Sequence, residues 1–197
     1  MAKFFGNLGA VIGVSVLLLL VVIFALHRDV VDASYMRSFV LFLHVLCGVM
    51  WIGLLYYFNF VQIPTMPKVP AELKPGVSKY IAPEALFWFR WGAALTVLMG
   101  LIIAGTPWPG RDAYILQALM FQSPYRVIGL GMWFGLIMAF NVWFVIWPNQ
   151  KKALGLVEAD ADTKAKAATT AMMFSRTNTL LSIPMLYCMV TQAYLGV

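Results

Sequence analysis

Apolar residues occur along this chain in five long runs, separated by shorter polar segments. The runs cover about residues 8–26, 35–62, 84–105, 127–147 and 170–194. About 20 apolar residues in a helix span the hydrocarbon core of a bilayer, so each run is long enough to cross one. The pattern predicts an all-α integral membrane helix bundle with five transmembrane helices. Residues 1–32 are expected to form an N-terminal anchor and residues 33–197 a four-helix domain.

The polar segments between the runs predict loops and helix extensions. Residues 63–84 contain five prolines and three lysines, which indicates a surface loop. Residues 114–121 are apolar but too few to span a membrane, so a short interfacial helix is expected there. Residues 148–169 are polar and rich in alanine, and their helical spacing predicts that they extend the fourth and fifth helices beyond the membrane.

Composition and charge support a membrane protein and exclude a soluble domain. Hydrophobic residues make up 62% of the chain, charged residues 11%, and the mean hydropathy is +0.83. The net charge of +6 comes from residues between apolar runs, which indicates contact with the lipid bilayer and no nucleic acid. Most lysines fall on the side shared by the N-terminus and the loops after the second and fourth spans. This predicts a cytoplasmic N-terminus and a periplasmic C-terminus.

Two cysteines, Cys47 and Cys188, lie inside apolar runs and form no CxxC or CxxCH pattern. Free cysteines in such surroundings usually act as small packing residues. The sequence therefore predicts neither a covalently attached c-type haem nor a zinc site of the CxxC type. The first apolar run also lacks a small-x-small cleavage site, so we expect an uncleaved first span.

The second apolar run carries one unusually polar helical face, formed by His44, Gly48, Trp51, Asn59 and Gln62. An imidazole or amide that faces lipid without a hydrogen-bond partner costs roughly several kcal/mol. This face should therefore point into the bundle. A neutral imidazole in such a place can serve as the axial ligand of haem iron. His44 is therefore the candidate metal ligand. In the alternative hypothesis, its ring bonds a neighbouring carbonyl and only fixes packing.

The second axial position of such a haem is left open by the sequence. By depth, Met189 is expected opposite His44, with Met185 about one turn deeper. The iron could also take another side chain or no second ligand. His27, the only other histidine, lies at the mouth of the first span, so a bis-histidine haem within one chain is not expected.

A second polar layer is expected nearer the cytoplasmic side, formed by Asn59 and Gln62 of the second run and by four further residues, Arg90, Asn141, Arg176 and Asn178. The two arginines could clamp a propionate, a quinone oxygen or an anionic substrate, or could extend to the lipid headgroups. The two asparagines could be ligands or could join neighbouring helices by hydrogen bonds. Cofactor binding is thus assigned to His44, Met189, Met185, Trp51 and these four residues.

The stretch HVLCGVMWIGLLYYFNFVQ at 44–62 resembles the first motif of the membrane domain of the PuuD-type urate hydroxylases, the urate oxidase N-terminal family. Three further stretches are similar to that family: FRWGAALTVLMG at 89–100, GLIMAFNVWFVIWPNQKK at 135–152 and RTNTLLSIPMLYCM at 176–189. The pattern of a histidine followed by WIG is more distantly similar to CopD-like and HemJ-like membrane proteins, in which a transmembrane histidine binds haem.

The resemblance implies a redox protein of the bacterial inner membrane. In complete urate hydroxylases a c-type cytochrome domain follows the membrane part, and this chain has no CxxCH, so we expect electrons to pass to a separate cytochrome c or to other membrane subunits. The first hypothesis is a haem b subunit with His44 as ligand. The second is a non-catalytic accessory subunit of a larger membrane complex, without cofactor. A transporter is a third and weaker hypothesis, since no acidic residue lies deep in a span.

Overall fold

The computed structural model describes residues 2–195, and these residues are almost entirely helical, as the sequence predicts. Five long helices and one short helix follow a single turn at Ala2–Phe5. They are α1 (Leu8–Val30), α2 (Ala33–Lys68), α3 (Lys74–Gly105), α4 (Ile115–Leu119), α5 (Arg126–Ala153) and α6 (Ala161–Leu195). No β-strand occurs between residues 2 and 195. Met1, Gly196 and Val197 lie outside the described residues. The predicted cytoplasmic N-terminus and periplasmic C-terminus are therefore outside them as well.

Four of these helices, α1, α2, α3 and α5, are long and apolar enough to cross a membrane. Helix α6 has 35 residues, which is ample length, but its first half is polar. Length and hydropathy therefore support a membrane protein with at least these four candidate spans. The fifth span remains a prediction.

The segment predicted as a surface loop at residues 63–84 is mostly helical, so this prediction was wrong. Helix α2 continues to Lys68 and α3 begins at Lys74, leaving only residues 69–73 between them. Proline is tolerated there because Pro64, Pro67, Pro75 and Pro83 each fall in the first two positions of a new α- or 3-10-helical stretch. At the first two positions of such a stretch the fixed φ of proline is compatible with the helical backbone.

The predicted extensions of the fourth and fifth helices are confirmed. Helix α5 runs on to Ala153, and α6 starts at Ala161, well before the apolar part of its sequence. Asp160 caps α6, since its carboxylate accepts hydrogen bonds from the backbone N–H and the hydroxyl of Thr163. These bonds hold the pKa of Asp160 below its usual value. The short helix predicted near residues 114–121 is also present, as α4.

The chain divides into two compact units, residues 1–39 and residues 40–197. The first contains α1, whose apolar side chains are exposed or half-buried and none fully buried, as expected for a helix that faces lipid or another protein. Asp32 caps the start of α2 by accepting bonds from the Tyr35 N–H and the Ser34 hydroxyl. These bonds lower its pKa.

The second unit is a bundle in which α2, α3, α5 and α6 alternate in direction. Contacts such as Phe58 with Phe89, an edge-to-face ring pair 5.6 Å apart, join α2 to α3. The core of the bundle is apolar and aromatic: Trp51, Leu55, Phe58, Phe89, Ala93, Met138, Val142 and Met185 are all buried. Helix α4 packs on the start of α5, where Gly129 lies against the carbonyl of Ala118. This bundle carries every residue assigned to the candidate site.

Candidate functional site

The ring of His44 lies between α2 and α3 and is half-buried. Its Nδ1 atom is 2.8 Å from the carbonyl oxygen of Thr96. A carbonyl can only accept, so Nδ1 carries the proton, and in the neutral imidazole Nε2 then keeps its lone pair. The carbonyl thus fixes the tautomer and the orientation of the ring, as backbone carbonyls that accept from the other ring nitrogen do for metal-binding histidines.

Glycines make room for this ring. A Cβ added to Gly100 would lie 3.1 Å from His44 Cε1, closer than side chains normally approach. A Cβ added to Gly48, one turn further along α2, would approach only the methyl carbon of Thr96, at 3.8 Å. We call His44, Gly48, Thr96 and Gly100 the histidine layer. In this layer α3 contacts one side of the His44 ring, and neither Gly48 nor Gly100 contributes a side chain.

Trp51 follows His44 by two turns on the same side of α2. Its backbone packs against Gly92 of α3, where an added Cβ would lie 3.2 Å from the Trp51 nitrogen. The side chain is 1% exposed, yet its indole Nε1 has no hydrogen-bond partner among the described residues. A buried donor without an acceptor is uncommon and leaves a hydrogen-bonding position for a bound group or water.

The two methionines expected opposite His44 are not seen in contact with it. The methyl carbon of Met189 would lie 3.5 Å from a Cβ on Gly131 of α5. Met185 is buried in the apolar core. The described contacts of His44 are with Thr96 and Gly100 of α3, so the structure places neither methionine beside the ring.

A second set of polar side chains lies further along the bundle, about 20 Å from His44 by the rise of α2. We call it the asparagine layer: Tyr56, Asn59, Asn141, Ser175, Asn178 and Ser182. Asn141 Nδ2 donates to Asn178 Oδ1, and Asn178 Nδ2 donates to the carbonyl of Met138, each at 2.9 Å. Asn178 is fully buried and Asn141 is 6% exposed. This pair ties α5 to α6.

The same layer joins α2 to α6. The Ser182 hydroxyl donates to the carbonyl of Thr179, so the Tyr56 hydroxyl, 3.0 Å away, donates to Ser182. Asn59 Nδ2 donates to the Ser175 hydroxyl at 2.8 Å. Sequence reasoning missed these partners, although the spacing of Ser175, Asn178 and Ser182 marks one polar stripe on α6.

The polar face expected on α2 does not stay on one side of the helix. His44, Gly48 and Trp51 lie against α3, whereas Asn59 bonds Ser175 of α6. Residues Tyr57–Gln62 adopt π-helical turns, and Asn141–Ile146 of α5 do the same. The wider turns change the register, so a stripe drawn at 3.6 residues per turn no longer holds beyond Tyr56.

The two arginines occupy different surroundings. Arg176 is exposed and takes no part in the asparagine layer. Arg90 is half-buried, and its guanidinium carbon lies 3.4 Å from the centre of the Trp147 ring. The two arginines are therefore not a joint clamp around the histidine layer. No group of three or more His, Cys, Asp or Glu residues suited to a metal ion occurs within residues 2–195.

Comparison with known proteins agrees with part of the sequence resemblance. The family described as urate oxidase N-terminal matches residues 110–196, a range that includes α4, α5 and α6. The resemblance to that family is therefore confirmed over this range. The motifs in α2 and α3 lie outside it, and the similarity to CopD-like and HemJ-like proteins stays a prediction. No curated protein and no solved structure matches the chain.

Proposed function

We propose that this protein is a membrane subunit of a redox system that holds a b-type haem through Nε2 of His44. The hydrogen bond from His44 Nδ1 to the Thr96 carbonyl carries the proposal, because it fixes the tautomer in which Nε2 is free to bind iron. A haem held there would supply one-electron transfer. The chain's own contribution is to orient the imidazole through the Thr96 carbonyl.

Two further features of the bundle fit a bound group. Gly100 leaves room for the imidazole against α3, and the buried Trp51 indole offers an unused donor. For oxidoreductase chemistry the electrons would leave through a separate cytochrome c or another membrane subunit.

The proposal includes a location and a topology. Five spans, with α6 as the fifth, would put the N-terminus in the bacterial cytoplasm and the C-terminus in the periplasm, in line with the lysine distribution. The inner membrane is the compartment in which a subunit of this kind would meet respiratory partners.

A spectrum of the purified protein tests the proposal. Oxidised and dithionite-reduced samples in mild detergent should show a Soret band, with a pyridine haemochrome assay giving about one haem per chain. His44→Ala should abolish the band. His27→Ala is the matched control, since it removes the other histidine, which lies next to Tyr35 in the first unit, and should leave the band unchanged. A wild-type protein that folds and remains free of haem after reconstitution with hemin would refute the proposal.

A second function, a non-catalytic accessory subunit, is favoured by the asparagine layer. Asn141 donates to Asn178, and Asn178 donates to a backbone carbonyl. Such bonds join neighbouring helices, and they leave few hydrogen-bonding groups of this pair for a ligand. In that case the haem-free protein would copurify with a larger complex. Cross-linking in membranes followed by mass spectrometry would identify its neighbours.

A further inference from the structure

One cationic cluster lies away from both polar layers, at the end of the bundle where α5 leaves the apolar part of its sequence. The Arg90 guanidinium lies on the ring of Trp147, and the ammonium of Lys151 is 5.6 Å from the centre of the same ring. The two positive charges are therefore at most about 9 Å apart, whichever faces of the ring they occupy. All three side chains are half-buried, so they are fixed in place and still accessible.

No acidic side chain balances these two charges. Within residues 2–195 the one ion pair is Arg28 with Asp29, in the first unit, so no carboxylate lies within 4 Å of Arg90 or Lys151. Arg90 Nη1 is buried and has no hydrogen-bond partner among the described residues. An arginine remains charged in proteins. A half-buried guanidinium with an unused donor is therefore stabilised by binding an anion.

The backbone holds this cluster rigidly. The Trp143 indole, one turn before Trp147, donates to the carbonyl of Arg90 at 3.2 Å and joins α5 to α3 at this level. The Trp147 ring then supports the guanidinium from one side by a cation–π contact. The guanidinium is thereby oriented before any ligand arrives, which lowers the entropic cost of binding one.

We propose that Arg90 and Lys151 bind the phosphate group of an anionic phospholipid, with Trp147 as the aromatic ring that lies next to both cations. Charge complementarity favours an anion, and a phosphate can accept a charge-assisted hydrogen bond on each side. The position favours a lipid over a free ion, because tryptophan and basic residues at the end of a membrane helix lie at headgroup depth. This inference does not depend on the haem proposal.

Native mass spectrometry of the protein in detergent, titrated with synthetic phosphatidylglycerol, tests this site. We expect wild-type protein to retain one phosphatidylglycerol with preference over phosphatidylcholine. Lys151→Gln should weaken retention about fivefold, as expected for one lysine at an anionic surface. Arg90→Gln should weaken it tenfold or more, since it removes a charged donor. Lys152→Gln is the matched control, because Lys152 is exposed and adjacent in sequence, and it should change little.

Three results would overturn the proposal. One is equal retention of phosphatidylcholine and phosphatidylglycerol. The second is an equal effect of Lys151→Gln and Lys152→Gln, which would reduce the site to general surface charge. The third is complete displacement of the lipid by millimolar inorganic phosphate, which would assign the site to a free ion. Lys151→Gln keeps the test decisive if Arg90→Gln fails to fold, because Lys151 is not part of the buried core.

Discussion

The bond between Asn141 and Asn178 should contribute measurable stability to the bundle. Asn178→Leu keeps the branched shape of the side chain but removes two hydrogen bonds, one from Asn141 and one to Met138. Interhelical hydrogen bonds in membrane proteins contribute about 0.6 kcal/mol on average and about 1.7 at most, so Asn178→Leu should cost about 1 to 3 kcal/mol. Asn141→Leu removes only the bond between the two amides and should cost about 1 kcal/mol.

The two changes should not be additive. Once Asn178 is leucine, Asn141 has lost its acceptor, so replacing Asn141 as well should cost little more. The free energy of unfolding can be measured by reversible SDS titration in mixed micelles, followed by tryptophan fluorescence, for both single variants and the double variant. We expect the sum of the single costs to exceed the cost of the double variant by about 0.6 to 1.7 kcal/mol.

Asn149→Leu supplies the matched control for this cycle. Asn149 is an amide on the same helix as Asn141, but its bond goes to the carbonyl of Val145 in its own helix. Its replacement should therefore cost less than that of Asn178 and show no coupling to it. Strict additivity of Asn141→Leu and Asn178→Leu, or a wild-type stability for Asn178→Leu, would refute the assignment of these residues to helix pairing.

Two further predictions concern glycine packing and helix capping. Gly129→Ala should destabilise the protein by about 1 to 3 kcal/mol, because the new methyl group would overlap the carbonyl of Ala118. The methyl group of Gly135→Ala would meet nothing within 4 Å, so this variant should be neutral or more stable by up to about 1 kcal/mol. Thermal unfolding in detergent measures both variants, and equal effects on stability would contradict this packing. The pKa of Asp160 is lowered by its bonds from Thr163, so its contribution to stability is present above the ordinary carboxyl pKa and is lost as the pH falls through the lowered value. The difference in unfolding midpoint between wild type and Asp160→Asn should therefore vanish in strong acid, and a difference that persists there would contradict this explanation.

Hydropathy was sufficient to predict the long helices of this chain, because a run of about 20 apolar residues can be recognised from the local sequence alone. It was also sufficient to place Asn141 and Asn178 inside the bundle, since an amide facing lipid is costly. The helical residues beyond Gln62 were missed because prolines were interpreted as ending a helix. In fact four of the five prolines fall in the first two positions of a helical stretch and only Pro70 lies in the connection between α2 and α3, which a count of prolines cannot show.

The partners of the polar residues could not be predicted from the sequence for a different reason. A helical net gives the face of a residue but neither the rotation of the facing helix nor its depth. The bond of Asn59 to Ser175 depends on the π-helical turns of α2, which have no clear sequence signal, and the bond of Tyr56 to Ser182 depends on how α6 is rotated against α2. The partner of His44 is a backbone carbonyl, which every residue possesses.

The two polar layers differ in a way that makes the haem experiment decisive. The asparagine layer is buried and bonds helix to helix, so its loss should weaken the fold. His44 is half-buried and makes one bond, to a Thr96 carbonyl that the backbone of α3 also satisfies within its own helix. His44→Ala should therefore cost little stability, within the range of a single interhelical bond of about 0.6 to 1.7 kcal/mol. Loss of haem from a variant that remains folded would then report on iron ligation itself, whereas a large loss of stability would place His44 among the packing residues.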